Sequence, residues 1–91
     1  MNKTELIRSV CISTGVSRRQ ATRIVNAVFE SISDALATGQ SVHLSGFGVF
    51  DIREAPPRLV HGFNDSPVEL RRLSPTFRAS PLLKDRVSSN H

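Results

Sequence analysis

Arg53 and Arg58 precede, and Arg71, Arg72 and Arg78 follow, the stretch VHGFNDSP at residues 60–67. Guanidinium groups suit phosphate because they are planar, always charged and rich in donors. Inside the stretch, Gly62, Asn64, Asp65 and Pro67 each favour turn geometry. Phe63 sits among them as a large apolar ring that must be either hidden or used. Other chemistries find no support. Ser, His and Asp are present, but no spacing sets a nucleophile beside a base. Gly46-Phe47-Gly48 lacks the third glycine and the following helix of a nucleotide loop. His43, His61 and His91 are widely spaced and Cys11 is the only cysteine. Neither a zinc site nor an internal disulfide is expected. The chain is not expected to be an enzyme, and no cofactor or metal is implied.

The whole chain carries 12 Lys and Arg against 8 Asp and Glu, a formal net charge of +4. A small basic domain suggests an anionic partner, usually nucleic acid and less often a membrane surface. No apolar run approaches the roughly 20 residues of a membrane span. The N-terminus, MNKTELIRSV, lacks the apolar core of a signal peptide, so a cytoplasmic location is expected. Its 91 residues make one small domain. Disulfides, a metal or a second subunit usually complete a core of this size. Oligomerisation is the route left open, and Cys11 is expected to fill a helix face.

The elements that must position these residues follow from periodicity. Asn2 and Glu5 form a capping-box pattern, and Leu6, Ile7, Val10 and Cys11 make one helical stripe ended by Gly15. Ser17 and Gln20 repeat the cap. Ala21, Ile24, Val25, Val28, Phe29, Ile32, Ala35 and Leu36 then recur at three and four, up to Thr38-Gly39. From residue 41 the period becomes two. Val42 and Leu44 lead into a tight turn at Gly46-Phe47-Gly48, and Val49, Phe50 and Ile52 run extended to Arg53, a β-hairpin. Pro56-Pro57 marks an edge or projecting segment. Leu59-Val60 and Val68-Glu69-Leu70 read as two legs of a ribbon, and residues 73–77 bring the chain back. Ser80-Pro81 starts a short last helix, and the tail SSNH is expected to fray.

MNKTELI, Gly15-Val16-Ser17, Ala27-Val28-Phe29, Gly46-Phe47-Gly48-Val49-Phe50 and Leu83-Lys84-Asp85 together resemble the HU/integration host factor family of bacterial DNA-bending proteins. The resemblance covers almost the whole chain. It implies an α+β fold: an intertwined dimer of helical hairpins with a β-sheet saddle and two extended β-ribbon arms. One domain of residues 1–91 divides into a helical dimerisation hairpin (1–39), sheet (40–53 and 74–79), DNA-binding arm (54–73) and C-terminal helix (80–88). The implied partners are double-stranded DNA and a second subunit, identical or homologous, in a nucleoid-associated protein. By the same resemblance, Phe29, Phe47, Phe50 and Phe77 pack the dimer core. Lys3, Arg53, Arg58, Arg78 and Lys84 match phosphate-contacting positions. Arg71 and Arg72 join them on charge and place alone. Gly46 and Gly48 allow backbone N–H groups to approach phosphate, although turn geometry alone would account for both.

Phe63 falls where the family carries the proline of an Arg-Asn-Pro-x-Thr-Gly arm tip, in an arm about two residues shorter than the common pattern. Apolar wedges of minor-groove benders include Phe, so Phe63 is expected to intercalate. Folding back on Leu59, Val68 or Leu70, or contact with another protein, are the competing uses. Ala55, Leu59, His61 and Pro81 stand where relatives commonly have Arg or Lys. Five arginines in residues 53–78 face Glu54, Asp65 and Glu69, leaving a net of only two positive charges. His61, placed near phosphate, adds charge below neutral pH; an exposed His that is merely solvated is the plainer alternative. Arg18, Arg19 and Arg23 line the start of the second helix, as a solvated face or a secondary contact with DNA or another dimer. The expected function is architectural: binding duplex DNA as a dimer through phosphates and the minor groove, and bending it with little sequence specificity. The alternative is a protein-interaction module on the same scaffold. Salt separates the two, because only the phosphate contacts weaken steeply with it.

Overall fold

A computed structural model describes the backbone of residues 1–61 and 67–91, and the side chains of residues 1–54 and 72–91. The described elements run α1 (Lys3–Thr14), α2 (Arg18–Ala37), β1 (Val42–Leu44), β2 (Gly48–His61), β3 (Pro67–Ala79) and α3 (Pro81–Ser89). They form two compact units, Met1–Asp34 and Ala35–His91.

The helical unit begins where the sequence predicts. Asn2 accepts from the Glu5 N–H at 2.8 Å, and the Glu5 carboxylate reaches back to the Asn2 N–H at 3.4 Å. This reciprocal cap satisfies two donors that the first turn leaves without partners. Gly15 stops α1 in the left-handed region, φ 76°, its N–H donating to the Cys11 carbonyl. The Ser17 hydroxyl then accepts from the Gln20 N–H at 3.1 Å to open α2. Ile7, Ala21 and Val25 are buried, with Leu6, Val10, Cys11 and Val16 packed around them. Cys11 fills the helix face as expected. Of the rest of the α2 stripe, Ile32, Ala35 and Leu36 are half-buried. Ile24, Val28 and Phe29 stay largely exposed, Phe29 at 42 %, and with Leu6, Val10 and Val25 they line an all-apolar groove of about 210 Å³.

The second unit is an antiparallel sheet of order β1-β2-β3 followed by α3. The first hairpin turns at residues 45–47, one residue earlier than the sequence reading, and Gly48 already belongs to β2, opposite Leu44. The Phe47 N–H donates to the Leu44 carbonyl at 3.0 Å, and Gly46 holds φ 77° at the third position. A turn with positive φ there favours glycine. Gly48 is glycine for another reason. A Cβ there would stand 2.5 Å from the Arg78 carbonyl oxygen and 2.7 Å from the Phe77 ring.

The long ribbon keeps register from Gly48↔Ala79 to Ala55↔Arg72, then shifts by one residue before Arg58↔Leu70. The extra residue lies at Pro56-Pro57, where a bulge accommodates prolines that cannot donate to a ladder. Pairing continues to His61↔Pro67. The turn expected beyond, and Phe63 with it, lies outside the described residues. At the other end, Ser80 caps α3 by accepting from the Leu83 N–H at 3.1 Å, with Pro81 at the first helical position. Its own N–H donates to the Phe47 carbonyl, tying the start of α3 to the first hairpin. The helix runs through Ser89, and Asn90 closes it with a side-chain bond to the Arg86 carbonyl.

Candidate functional site

Side chains alternate across a sheet, so register decides which residues share a face. Val42, Phe50 and Phe77 are aligned across the three strands, as are Leu44, Gly48 and Ala79; Ile52 pairs with Pro75 and Glu54 with Leu73. This face is apolar except for Glu54 at its ribbon end. Phe77 is its centre, with ring centroids 4.8 Å from Phe50 and 5.4 Å from Phe47, both tilted. Such aromatic pairs contribute beyond the area they bury. The cluster is nonetheless open in the single chain, with Phe47 46 % and Phe77 44 % exposed.

The opposite face is polar and basic. His43, Val49 and Arg78 form one row, and Asp51↔Thr76, Arg53↔Ser74 and Ala55↔Arg72 continue it toward the ribbon. Arg53, Arg72 and Arg78 are exposed here. The Asp51 carboxylate is engaged locally, accepting from the Ile52 N–H at 2.8 Å. Three of the arginines singled out in the sequence thus stand on one surface, interleaved with Ser74 and Thr76. That arrangement can hold a row of phosphates by charge and hydrogen bonds.

At the hairpin end of the sheet lies a cleft of about 360 Å³ lined by residues 43–46, 48–49 and 78–81, drawn from both rows. Gly46, Gly48, Arg78 and Ser80 are among its lining residues. The bulk above Gly48 comes from Phe77 and the Arg78 carbonyl, so close packing already accounts for that glycine. Lys3 stands exposed in the first turn of α1, within the helical unit, and Lys84 stands exposed in α3. Arg58, His61 and Arg71 lie on paired strands, but their side chains are outside the described residues.

The residue that the sequence reading did not assign is His43. It lines the cleft in the same row as Arg78, its Nε2 3.2 Å from the Ser41 hydroxyl. Its alternation with Val42 and Leu44 was visible in the sequence, whereas the row it shares with Arg78 depends on the pairing of all three strands. Among the described residues, no cluster of His, Cys, Asp and Glu could hold a metal, and no helix is long and apolar enough to cross a membrane.

Comparison with known proteins agrees across sequence and structure. The family model described as bacterial DNA-binding protein matches residues 1–88. The chain is 43% identical over 91 residues to DNA-binding protein HU of Geobacillus stearothermophilus, covering 96% of this chain and 99% of that protein. It is 44% identical over 92 residues to integration host factor subunit alpha of Bordetella pertussis, covering 96% and 79%. An HU–DNA cocrystal structure from Anabaena matches with TM-score 0.80 and 32% identity, covering 97% of this chain and 98% of that one. HU from Thermotoga maritima matches with TM-score 0.69 and 29% identity, covering 96% and 98%.

Proposed function

The chain belongs to the bacterial DNA-binding protein family of HU and integration host factor, and on that premise we propose that it is an architectural protein that binds duplex DNA as a dimer and bends it. The observation that carries this reading is the polar sheet face, on which Arg53 of β2 and Arg72 and Arg78 of β3 stand on one surface leading into the ribbon. Residues 54–73 serve as the arm. Arg58 and Arg71 add positive charge to the arm by sequence and His61 lies within it, and Lys3 and Lys84 add phosphate contacts from the helices. Phosphate contacts position a protein on DNA without reading sequence. Asn64 is the only Asn or Gln in the arm, so base-edge readout is sparse and duplex shape and deformability take its place. Phe63 at the arm tip acts as the wedge that unstacks a base step.

The second subunit, identical or homologous, accounts for what one chain leaves open. The groove beside Phe29, and the Phe47–Phe77 cluster, expose apolar area that water penalises and a partner would cover. Such a protein works on the nucleoid. Fluorescence anisotropy on a short duplex across a salt series tests the reading. Affinity that falls steeply with salt is expected, whereas salt-insensitive capture of protein with no DNA binding would favour an interaction module instead.

A further inference from the structure

The charges of α2 are sorted by sign along its length. Arg18, Arg19 and Arg23 occupy the first half and Glu30 and Asp34 the second, with no acid in the first turn and no base in the last. That order opposes the helix dipole, which favours acids at the N-terminus and bases at the C-terminus. The helix gains nothing from it alone. Nor does the rest of the chain use Arg23 or Glu30: both are exposed, and neither makes an ion pair among the described residues. The α2 residues of the apolar groove, Ile24, Val25, Val28 and Phe29, are spaced symmetrically about the midpoint between Asn26 and Ala27. Arg23 and Glu30 are the next pair outward from that midpoint. They also share one side of the helix, with Ala27 between them, and Arg23 and Ala27 line a second open groove beside Ile24.

We propose that this face of α2 selects a second copy of the same chain, Arg23 of each protomer pairing with Glu30 of the partner subunit, in preference to a homologous subunit that lacks this charge pattern. This rests on the dimer of the reading above and names its partner. Copies related by a two-fold axis meet through one self-complementary patch. An axis perpendicular to α2 at the midpoint between Asn26 and Ala27 makes the two helices antiparallel. Ile24 then falls level with Phe29 of the partner subunit, Val25 with the partner's Val28 and Arg23 with the partner's Glu30. The positive half of each helix lies along the negative half of the other, and the two dipoles oppose. A parallel pairing would instead set Arg23 beside Arg23 of the partner subunit, where like charges repel. Ala27 is small, and the side chains at a helix contact set how closely the axes approach. Apolar burial supplies the association, and the charges decide which chain fills the groove.

The test is sedimentation equilibrium of the full-length protein at low salt. Wild type is compared with Arg23→Glu, with Glu30→Arg, with the chain carrying both changes, and with an equimolar mixture of the two single variants. Each single variant is expected to dimerise on the order of 10-fold more weakly than wild type, since two exposed ion pairs become like-charge contacts. Both changes in one chain restore the homodimer. Mixing the single variants restores association as a heterodimer, resolved by native mass spectrometry. Single variants that dimerise as wild type does, or weakened ones that neither the double change nor mixing rescues, would overturn the inference alone. So would an intact Arg23→Glu dimer that binds a short duplex more weakly, which would give the arginine to DNA instead. A wild type that stays monomeric at micromolar concentration would refute the dimeric reading, and this inference with it.

Discussion

Replacing Gly48 with Ala separates two explanations of the same residue. The added Cβ would meet the Arg78 carbonyl oxygen at 2.5 Å and two Phe77 ring carbons at 2.7 Å, far inside ordinary contact. The carbonyl belongs to the backbone of the paired strand and cannot yield without disturbing the ladder. The ring packs on Phe50 and Phe47 at centroid distances of 4.8 and 5.4 Å but is open on its other side, so the backbone carbonyl is the contact that decides the cost. Overpacking of this kind costs about 1–3 kcal/mol. Removing a glycine returns up to about 1 kcal/mol by restricting the unfolded chain. The net loss of about 1–2 kcal/mol corresponds to a fall in Tm of about 5–15 °C for a domain this small. Thermal unfolding followed by circular dichroism, at one fixed protomer concentration because a dimer's Tm depends on it, reads the effect. Phe77→Leu with Gly48→Ala should cost less than the two single changes summed, since contacting residues couple. A Tm within about 2 °C of wild type for Gly48→Ala would refute the packing argument. DNA affinity lost without any loss of stability would return Gly48 to a phosphate-contacting role.

Three further expectations follow from the same geometry. Replacing Arg53 and Arg58 with Ala should flatten the salt slope by about 0.9 for each phosphate contact removed; an unaltered slope in anisotropy titrations would move the contact surface elsewhere. Val28→Asp puts a carboxylate into the open apolar groove and should shift sedimentation at micromolar concentration from dimer to monomer or unfolded chain, whereas an intact dimer would place the interface elsewhere. Asn2→Ala should cost about 1 kcal/mol through the lost cap, read as a lower urea midpoint with unchanged slope.

How much was legible depended on the range of the interactions involved. The caps at Asn2, Ser17 and Ser80 and the stop at Gly15 are local, so each was readable from a few neighbouring residues. The faces of the sheet were not. Reading the turn as Gly46-Phe47-Gly48 rather than residues 45–47 places Gly48 outside the strand and slips the register of the hairpin, although a slip of two keeps each side chain on its face. His43 was read as alternating with Val42 and Leu44, but the partners it meets, Val49 and beyond it Arg78, depend on the pairing of all three strands. The four core phenylalanines were read as apolar packing residues, and three of them, Phe29, Phe47 and Phe77, remain well exposed in one chain. On the proposed reading a second subunit covers them, which periodicity within one sequence does not encode. The Pro56-Pro57 irregularity was visible as a break, while its form, a one-residue shift in register, depends on the partner strand.

Energy transfer between dyes at the two ends of a short duplex tests the central claim most directly, with anisotropy recorded in parallel. The account predicts that wild type brings the ends together at low salt, and that Phe63→Ala still binds but leaves them further apart. Binding without any change in transfer by wild type would contradict the claim that this protein bends DNA.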